Sequence, residues 1–202
     1  MAQSNEIVTL AEPSHTGSSP LEHLLAKRRS VRDFQNTTVE LAQIGQLLWA
    51  AQGITHARGL RTAPSAGALY PLELYVVAGR VNGLAKGIYH YDPETHQLMK
   101  IRDGDHQDAL SKAASSQDWV KAASAVIVFA ADFERTTKKY GKRGIRYVHI
   151  EVGHAAENLF LQAEALELAT VIVGAFKDNS VAKVLQLPDD LQPLLLMPVG
   201  RK

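Results

Sequence analysis

Between Lys27 and Arg32 the chain reads "KRRSVR", four cations and a hydroxyl within six residues. The guanidinium groups of Arg28, Arg29 and Arg32 and the Ser30 hydroxyl are forked or charge-assisted donors, suited to a phosphate or a planar imide. The same residues also suit the end of a solvated helix, where cations complement the dipole. A second basic run, "RTTKKYGKRGIRY" from Arg135 to Tyr147, reads as a solvated loop between a strand and a helix. Within it Lys139 stands beside Tyr140, an amine next to a phenol, and either can move protons where a site tunes its pKa. The terminal "GRK" adds Arg201 and Lys202 beyond a buried strand; on local grounds it is a solubilising tail. A third stretch is unusual for its lack of charge. In "RTAPSAGALYPLELYVVAG" the turn Pro64, Ser65, Ala66, Gly67 leads into an apolar strand, with none of the Asp, Asn or Lys of an ordinary solvated loop.

Other chemistries find little support. There is no G-x-G-x-x-G or Walker pattern, so a phosphorylated cofactor would be held by side chains. His149 and His154 are about 140° apart around a helix and face different directions. No G-x-S-x-G elbow is present and Ser65 has no marked base partner. With no cysteine in the chain, thiolate catalysis, disulfides and Cys-ligated metals are excluded. A formal net charge of +1 argues against a general nucleic-acid binder. The N-terminus has no basic start followed by an apolar run, and nothing approaches the ~20 apolar residues of a membrane span. The expectation is a cytoplasmic protein without a membrane or nucleic-acid partner.

The elements that must position these residues follow from periodicity. The 202 residues, 46% hydrophobic and 21% charged, fit one domain at 19–202 preceded by a polar arm at 1–18. Ser19, Pro20 and Glu22 give a helix start, with Leu21, Leu24 and Leu25 as its apolar stripe. A second helix is predicted from Val39 to Gln52, stopped by Gly53. Residues 72–78 form a strand. "GIYHYD" and "QLMKIRD" form a strand pair around "PETH", "HQDALSKAASS" a helix, and "SAVIVFAAD" a buried strand. From Ile145 to Ala169 apolar residues recur every three or four positions, the longest helix of the chain. "TVIVGAF" is a short buried strand, "NSVAKVLQL" a helix and "PLLLMPVG" a closing strand. Strands and helices intermix without strict alternation. The fold class is α+β, a central mixed, largely antiparallel sheet flanked by helices.

Taken in order, "LAKRRSVRDF", "LLWAAQGIT", "RTAPSAGALYPLELYVV", "GIYHYDP", "KYGKRGIRYVHIEVGHAAENLFLQA", "VIVGAF" and "MPVGR" resemble the nitroreductase superfamily, and within it the SagB-type dehydrogenase branch. The resemblance runs from Ser19 to Arg201. Glu157 and Glu167 stand where the branch more usually has Gln and Gly. The resemblance implies a nitroreductase-like fold and an FMN-dependent oxidoreductase, a homodimer with flavins at the subunit interface. By motif, Arg28, Arg29, Ser30 and Arg32 would hold the FMN phosphate, ribityl chain and pyrimidine edge, and Arg201 would assist at the phosphate. Pro64, Ser65, Ala66 and Gly67 would come from the other subunit and lie along the isoalloxazine, where a flat ring leaves room only for small side chains. Val173 and Gly174 would offer backbone N–H near flavin N5 and O4. Lys139 and Tyr140 match the proton-handling pair of azoline dehydrogenases, which oxidise thiazolines or oxazolines in a peptide. Stand-alone members act instead as NAD(P)H-dependent nitro or quinone reductases, and a non-catalytic flavin-binding protein is the third alternative.

Overall fold

The computed structural model describes residues 6–202. In chain order the elements are β1 (Ile7–Thr9), α1 (Leu21–Lys27), β2 (Val39–Glu40), α2 (Leu41–Gln52), β3 (Leu72–Ala78), β4 (Val81–Asn82), β5 (Gly87–Asp92), β6 (Gln97–Asp103), α3 (Gln107–Ala113), α4 (Asp118–Ala122), β7 (Ala125–Asp132), α5 (Phe133–Tyr140), α6 (Arg143–Ala165), β8 (Leu168–Thr170), α7 (Asp178–Leu185) and β9 (Leu191–Arg201). A single 3-10 turn, Ala66–Ala68, precedes β3.

Seven strands form one sheet in the order β1-β6-β5-β3-β7-β9-β8, and each neighbouring pair is antiparallel. Parallel pairing is confined to the short β2–β4 ladder and to a bridge between Ser30 and Thr170. Both faces of the sheet are covered, so β3 and β7 read as nearly continuous apolar runs rather than as alternating ones. Leu72, Leu74, Val76 and Ala78 face Ile44, Leu47 and Leu48 of α2 and Val148, Val152, Ala155 and Leu159 of α6. Tyr75 and Val77 face the opposite layer, built from Leu110 of α3, Val120 of α4, and Val181 and Leu185 of α7. The α+β expectation holds. No helix among the described residues is long and apolar enough to cross a membrane.

Several boundaries differ from the sequence reading. The basic run after β7 is a helix, not a loop: the Asp132 carboxylate accepts the Glu134 N–H and caps α5, whose register pairs Lys138 with Glu134. Within the polar arm, Ile7–Thr9 adds an edge strand to β6; residues 1–5 lie outside the described residues. Val39 and Glu40 are extended, so α2 starts at Leu41 with a Glu40–Gln43 capping box. The long helix ends at Ala165, because Glu167 takes a left-handed φ of 56° and the chain turns into β8. The C-terminus is no solvated tail. Arg201 closes β9, and Lys202 pairs with the buried Glu164 at 2.6 Å.

Candidate active site

The neutral turn is tied off at its base. Arg61 N–H donates to Tyr70 Oη at 3.1 Å, the Arg61 guanidinium lies 4.7 Å over the Tyr70 ring, and Tyr70 N–H donates to Ser65 Oγ at 2.9 Å. Within this closed loop Gly67, Ala68 and Tyr70 have φ of 66°, 55° and 45°. Left-handed backbone at Ala68 and Tyr70 costs on the order of 1 kcal/mol each and persists only where its surroundings enforce it. Pro64, Gly67 and Ala68 stay exposed at the apex.

Helix α5 delivers Lys139 and Tyr140 to that apex. A Cβ added to Gly67 would lie 2.8 Å from Tyr140 Oη and 2.9 Å from Lys139 Nζ. Glycine is therefore needed twice, for its φ and for this approach. Arg135 fixes the helix to the turn's exit by donating to Tyr70 O at 3.2 Å and pairing with Glu73 at 2.6 Å. Tyr140 meets the Tyr147 ring edge-on, 5.1 Å between centroids.

Beneath the turn lies Glu151 of α6, only 2% exposed. Burial pushes its carboxyl up to about 7, and the Ser65 hydroxyl and the Arg61 charge offset only part of that rise. One of its oxygens, Oε1, has no hydrogen-bond partner. Arg61 is itself desolvated, which lowers its pKa, and it donates to Gln52 Oε1 at 2.8 Å.

The arginine cluster occupies the β8 edge of the sheet. Ser30 bridges Thr170, Val31 N–H donates to Thr170 O, and Gln35 N–H donates to Arg201 O. Arg28 packs 5.0 Å over the Phe160 ring and Arg32 lies 5.6 Å from the Trp119 ring. Arg29 folds back onto the carbonyls of Ala26 and Arg28, and Arg201 donates to Thr38 O. Among the described residues the one carboxylate within 4 Å of these four cations is Glu157, 3.7 Å from Arg28. Farther along the same edge Val173 exchanges both backbone hydrogen bonds with Leu196. Its N–H is thus spent on the sheet, while Gly174 is exposed with nothing within 4 Å of a Cβ placed on it.

The chain therefore holds two clusters, divided by α6. Glu151 meets the turn and Glu157 meets Arg28, and six residues of helix place them about 120° apart around the axis. A cavity of about 730 Å³ lies at neither. It runs between residues 11–19, α2 and the end of α6, lined by Trp49, Gln43, Gln46, Asn158, Leu161 and Gln162 among others.

The model of the Nitroreductase family matches residues 25–201. The chain belongs to that family. It is 48% identical over 182 residues to MJ1384 of Methanocaldococcus jannaschii, which is named for the same family, covering 90% of this chain and 91% of that one. A crystal structure from Ralstonia eutropha, also named for the family, superposes with a TM-score of 0.85 at 31% identity, over 100% of this chain and 91% of that chain. The microcin B17-processing protein McbC of Escherichia coli is 28% identical over 147 residues, 69% of this chain and 54% of McbC.

As a nitroreductase-family chain the protein is an oxidoreductase. Two members of its candidate site, Glu151 and Arg61, escaped the sequence reading. A signal for Glu151 existed: it follows Val148 by three residues and precedes Ala155 by four, placing a carboxyl on the buried stripe of the helix. Arg61 carried no comparable signal, because its burial comes from Gln52 and Tyr70 closing over it.

Proposed function

We propose that this nitroreductase-family protein is an FMN-dependent oxidoreductase of the SagB type, a homodimer whose substrate is an azoline in a peptide. One observation carries the reading: Lys139 Nζ and Tyr140 Oη converge on the bare backbone of Gly67 in a rigid, neutral turn. A proton donor and acceptor pair thus stands against a turn of small, uncharged side chains.

The donor set fits a flavin. Four Arg side chains with a single carboxylate near them suit a phosphate. Thr170 Oγ1, beside Ser30, is buried without a partner, and Gly174 is exposed. When bound, FMN supplies hydride transfer at its N5. Arg28, Arg29, Ser30, Arg32 and Arg201 would hold its phosphate, ribityl chain and pyrimidine edge, and Gly174 N–H would serve its ring. The Val173 N–H, engaged by Leu196, keeps the strand in place instead.

The two clusters diverge around α6, so in the homodimer the turn would reach a flavin held by the arginines of a second subunit. Because Lys139 and Tyr140 touch Gly67, they travel with the turn. In this arrangement the pair would take the ring proton of the azoline, the bound flavin would supply the acceptor for the hydride of the adjacent carbon, and the small side chains would keep water from that face. McbC, a microcin B17-processing relative by name, supports the peptide substrate. The identity to MJ1384 favours a second reading, an NAD(P)H-dependent nitro or quinone reductase using the same flavin.

The test begins with colour. The purified protein, supplied with FMN, is expected to be yellow, to bleach under anaerobic conditions with an azoline peptide or with NAD(P)H, and to recover with a nitroaromatic or a quinone. Bleaching by the azoline peptide supports the first reading, and bleaching by NAD(P)H alone with recovery by a nitroaromatic or quinone supports the second. A protein that stays yellow throughout is a flavin binder without turnover, and a colourless one removes the flavin from the proposal.

A further inference from the structure

We propose that Glu73 is a positioning residue for the Lys139–Tyr140 pair: it holds the Arg135 guanidinium in the orientation that joins α5 to the Gly67–Tyr70 turn. Glu73 is the only charged residue of β3, set between Leu72 and Leu74 of the core, and its side chain is 17% exposed. Both of its oxygens are engaged. Oε1 pairs with Arg135 Nη2 at 2.6 Å, and Oε2 lies 2.7 Å from His90 Nε2. His90 is placed by the β3–β5 ladder, opposite Tyr75, whose ring it meets at 5.0 Å between centroids. The carboxylate is thus anchored to two strands of the sheet. Burial alone would raise its pKa, yet the bonds from His90 and Arg135 bring it below the ordinary value, so it is an anion at neutral pH.

Arg135 spends each of its nitrogens on a different neighbour. Nη2 meets Glu73, Nη1 donates to Tyr70 O at 3.2 Å, and Nε lies 3.3 Å from Asp132 Oδ2. The other Asp132 oxygen caps α5 by accepting the Glu134 N–H. Tyr70, with its φ of 45°, closes the strained turn. A planar fork serves three directions at once only while its plane is fixed, and the Glu73 carboxylate is the contact that reaches it from the sheet. Arg135 precedes Lys139 by four residues, so the two share a face of α5, and Tyr140 follows directly. Thr136 is the one buried residue of that helix, so its seat leans on such polar ties. An isolated exposed ion pair would count for little. Here the carboxylate is mostly buried, and removing it leaves the guanidinium at Tyr70 O without its counter-charge. Because Gly67 abuts Lys139 and Tyr140, a shift of α5 against the turn displaces the pair.

This inference rests on the proposed role of the pair, but its first test needs no flavin. Hydrogen exchange of the segment 133–141 is followed by mass spectrometry in the full chain. In Glu73→Ala and in Arg135→Met the segment is expected to exchange about tenfold faster than in the wild type, with β7 and β9 unchanged. The double variant should exchange no faster than Arg135→Met alone, because Glu73 acts through the guanidinium. Glu73→Gln, which can still accept from Arg135, should fall between at about threefold, and it carries the test should Glu73→Ala fail to fold. Wild-type protection in the Glu73 variants, or additive loss in the double variant, overturns the proposal. The second test uses the FMN-loaded protein. Glu73→Ala is expected to lower kcat for an azoline peptide by about tenfold to a hundredfold with KM near the wild type, and nitroaromatic reduction by less than about threefold. Equal losses in the two reactions would make Glu73 a support of the fold alone and overturn the proposal. The expected exchange pattern in a wild type that oxidises no azoline would leave Glu73 in this role and remove the azoline reading. Azoline turnover untouched by Glu73→Ala would do the reverse.

Discussion

A methyl group on Gly67 would lie 2.8 Å from Tyr140 Oη. The contact is to the far end of a flexible side chain, so Gly67→Ala need not unfold the protein. Its cost to the fold is that of a left-handed alanine, on the order of 1 kcal/mol. Its cost to the site is larger, because Tyr140 and Lys139 must both move aside. The variant is expected to keep its sheet and lose most of its turnover, checked by circular dichroism and steady-state kinetics. Full activity would show that the pair need not meet the turn.

Flavin affinity should depend on the arginine cluster. Arg28→Ala or Arg32→Ala removes a charge-assisted bond of ~1.5–3 kcal/mol, roughly tenfold to a hundredfold in Kd. Glu157 draws on Arg28 across a half-exposed 3.7 Å contact, worth ~1 kcal/mol at most. Glu157→Gln should therefore tighten FMN by no more than about fivefold. Titration of the apo variants measures both; unchanged affinity in the two Arg variants would take the cluster out of the site.

Much of this architecture was legible in the chain. The runs at 72–78 and 125–132 announce buried strands because both of their faces meet helices. Helix α5 was hidden, because "FERTTKKY" has almost no apolar stripe. What holds it is the Asp132 cap, the Lys138–Glu134 pair and close packing on α6, where a Cβ at Gly144 would strike the Thr137 backbone at 2.9 Å. Leu21 and Leu25 read as a core stripe, yet they are 56% and 52% exposed. Periodicity reports an apolar face but not what covers it.

That exposed face motivates a prediction about assembly. Leu21 and Leu25 on α1, with Ile145 and Ile150 on α6, are large apolar side chains left in solvent by the single chain. A homodimer covering them is expected at micromolar concentration, and Leu25→Glu should weaken both dimer and flavin binding. Sedimentation showing a stable flavin-loaded monomer would contradict the shared site.

The Glu151 carboxyl makes stability depend on pH. Its folded value of about 7 lies above the ordinary 4.5, so the folded protein binds a proton that the unfolded chain has already lost. Stability is therefore highest below about pH 4.5 as far as this group is concerned, falls as pH rises, and reaches its floor above about pH 7. The full span is ~3 kcal/mol at most. Glu151→Gln should flatten that slope and be the more stable protein at about pH 8. Urea titrations across the range check this; an unchanged slope would mean that the carboxyl is hydrated in the folded state.

The most direct test of the central claim is stopped-flow kinetics of Lys139→Ala and Tyr140→Phe, with flavin occupancy measured first. Both variants should bind FMN as the wild type does, since its affinity comes from the arginine edge and the turn. Oxidation of an azoline peptide should slow by the ~10²–10⁴-fold typical of a lost general acid or base, while nitroaromatic or quinone reduction suffers far less. Equal and modest losses in both assays, or loss of the flavin itself, would contradict the account.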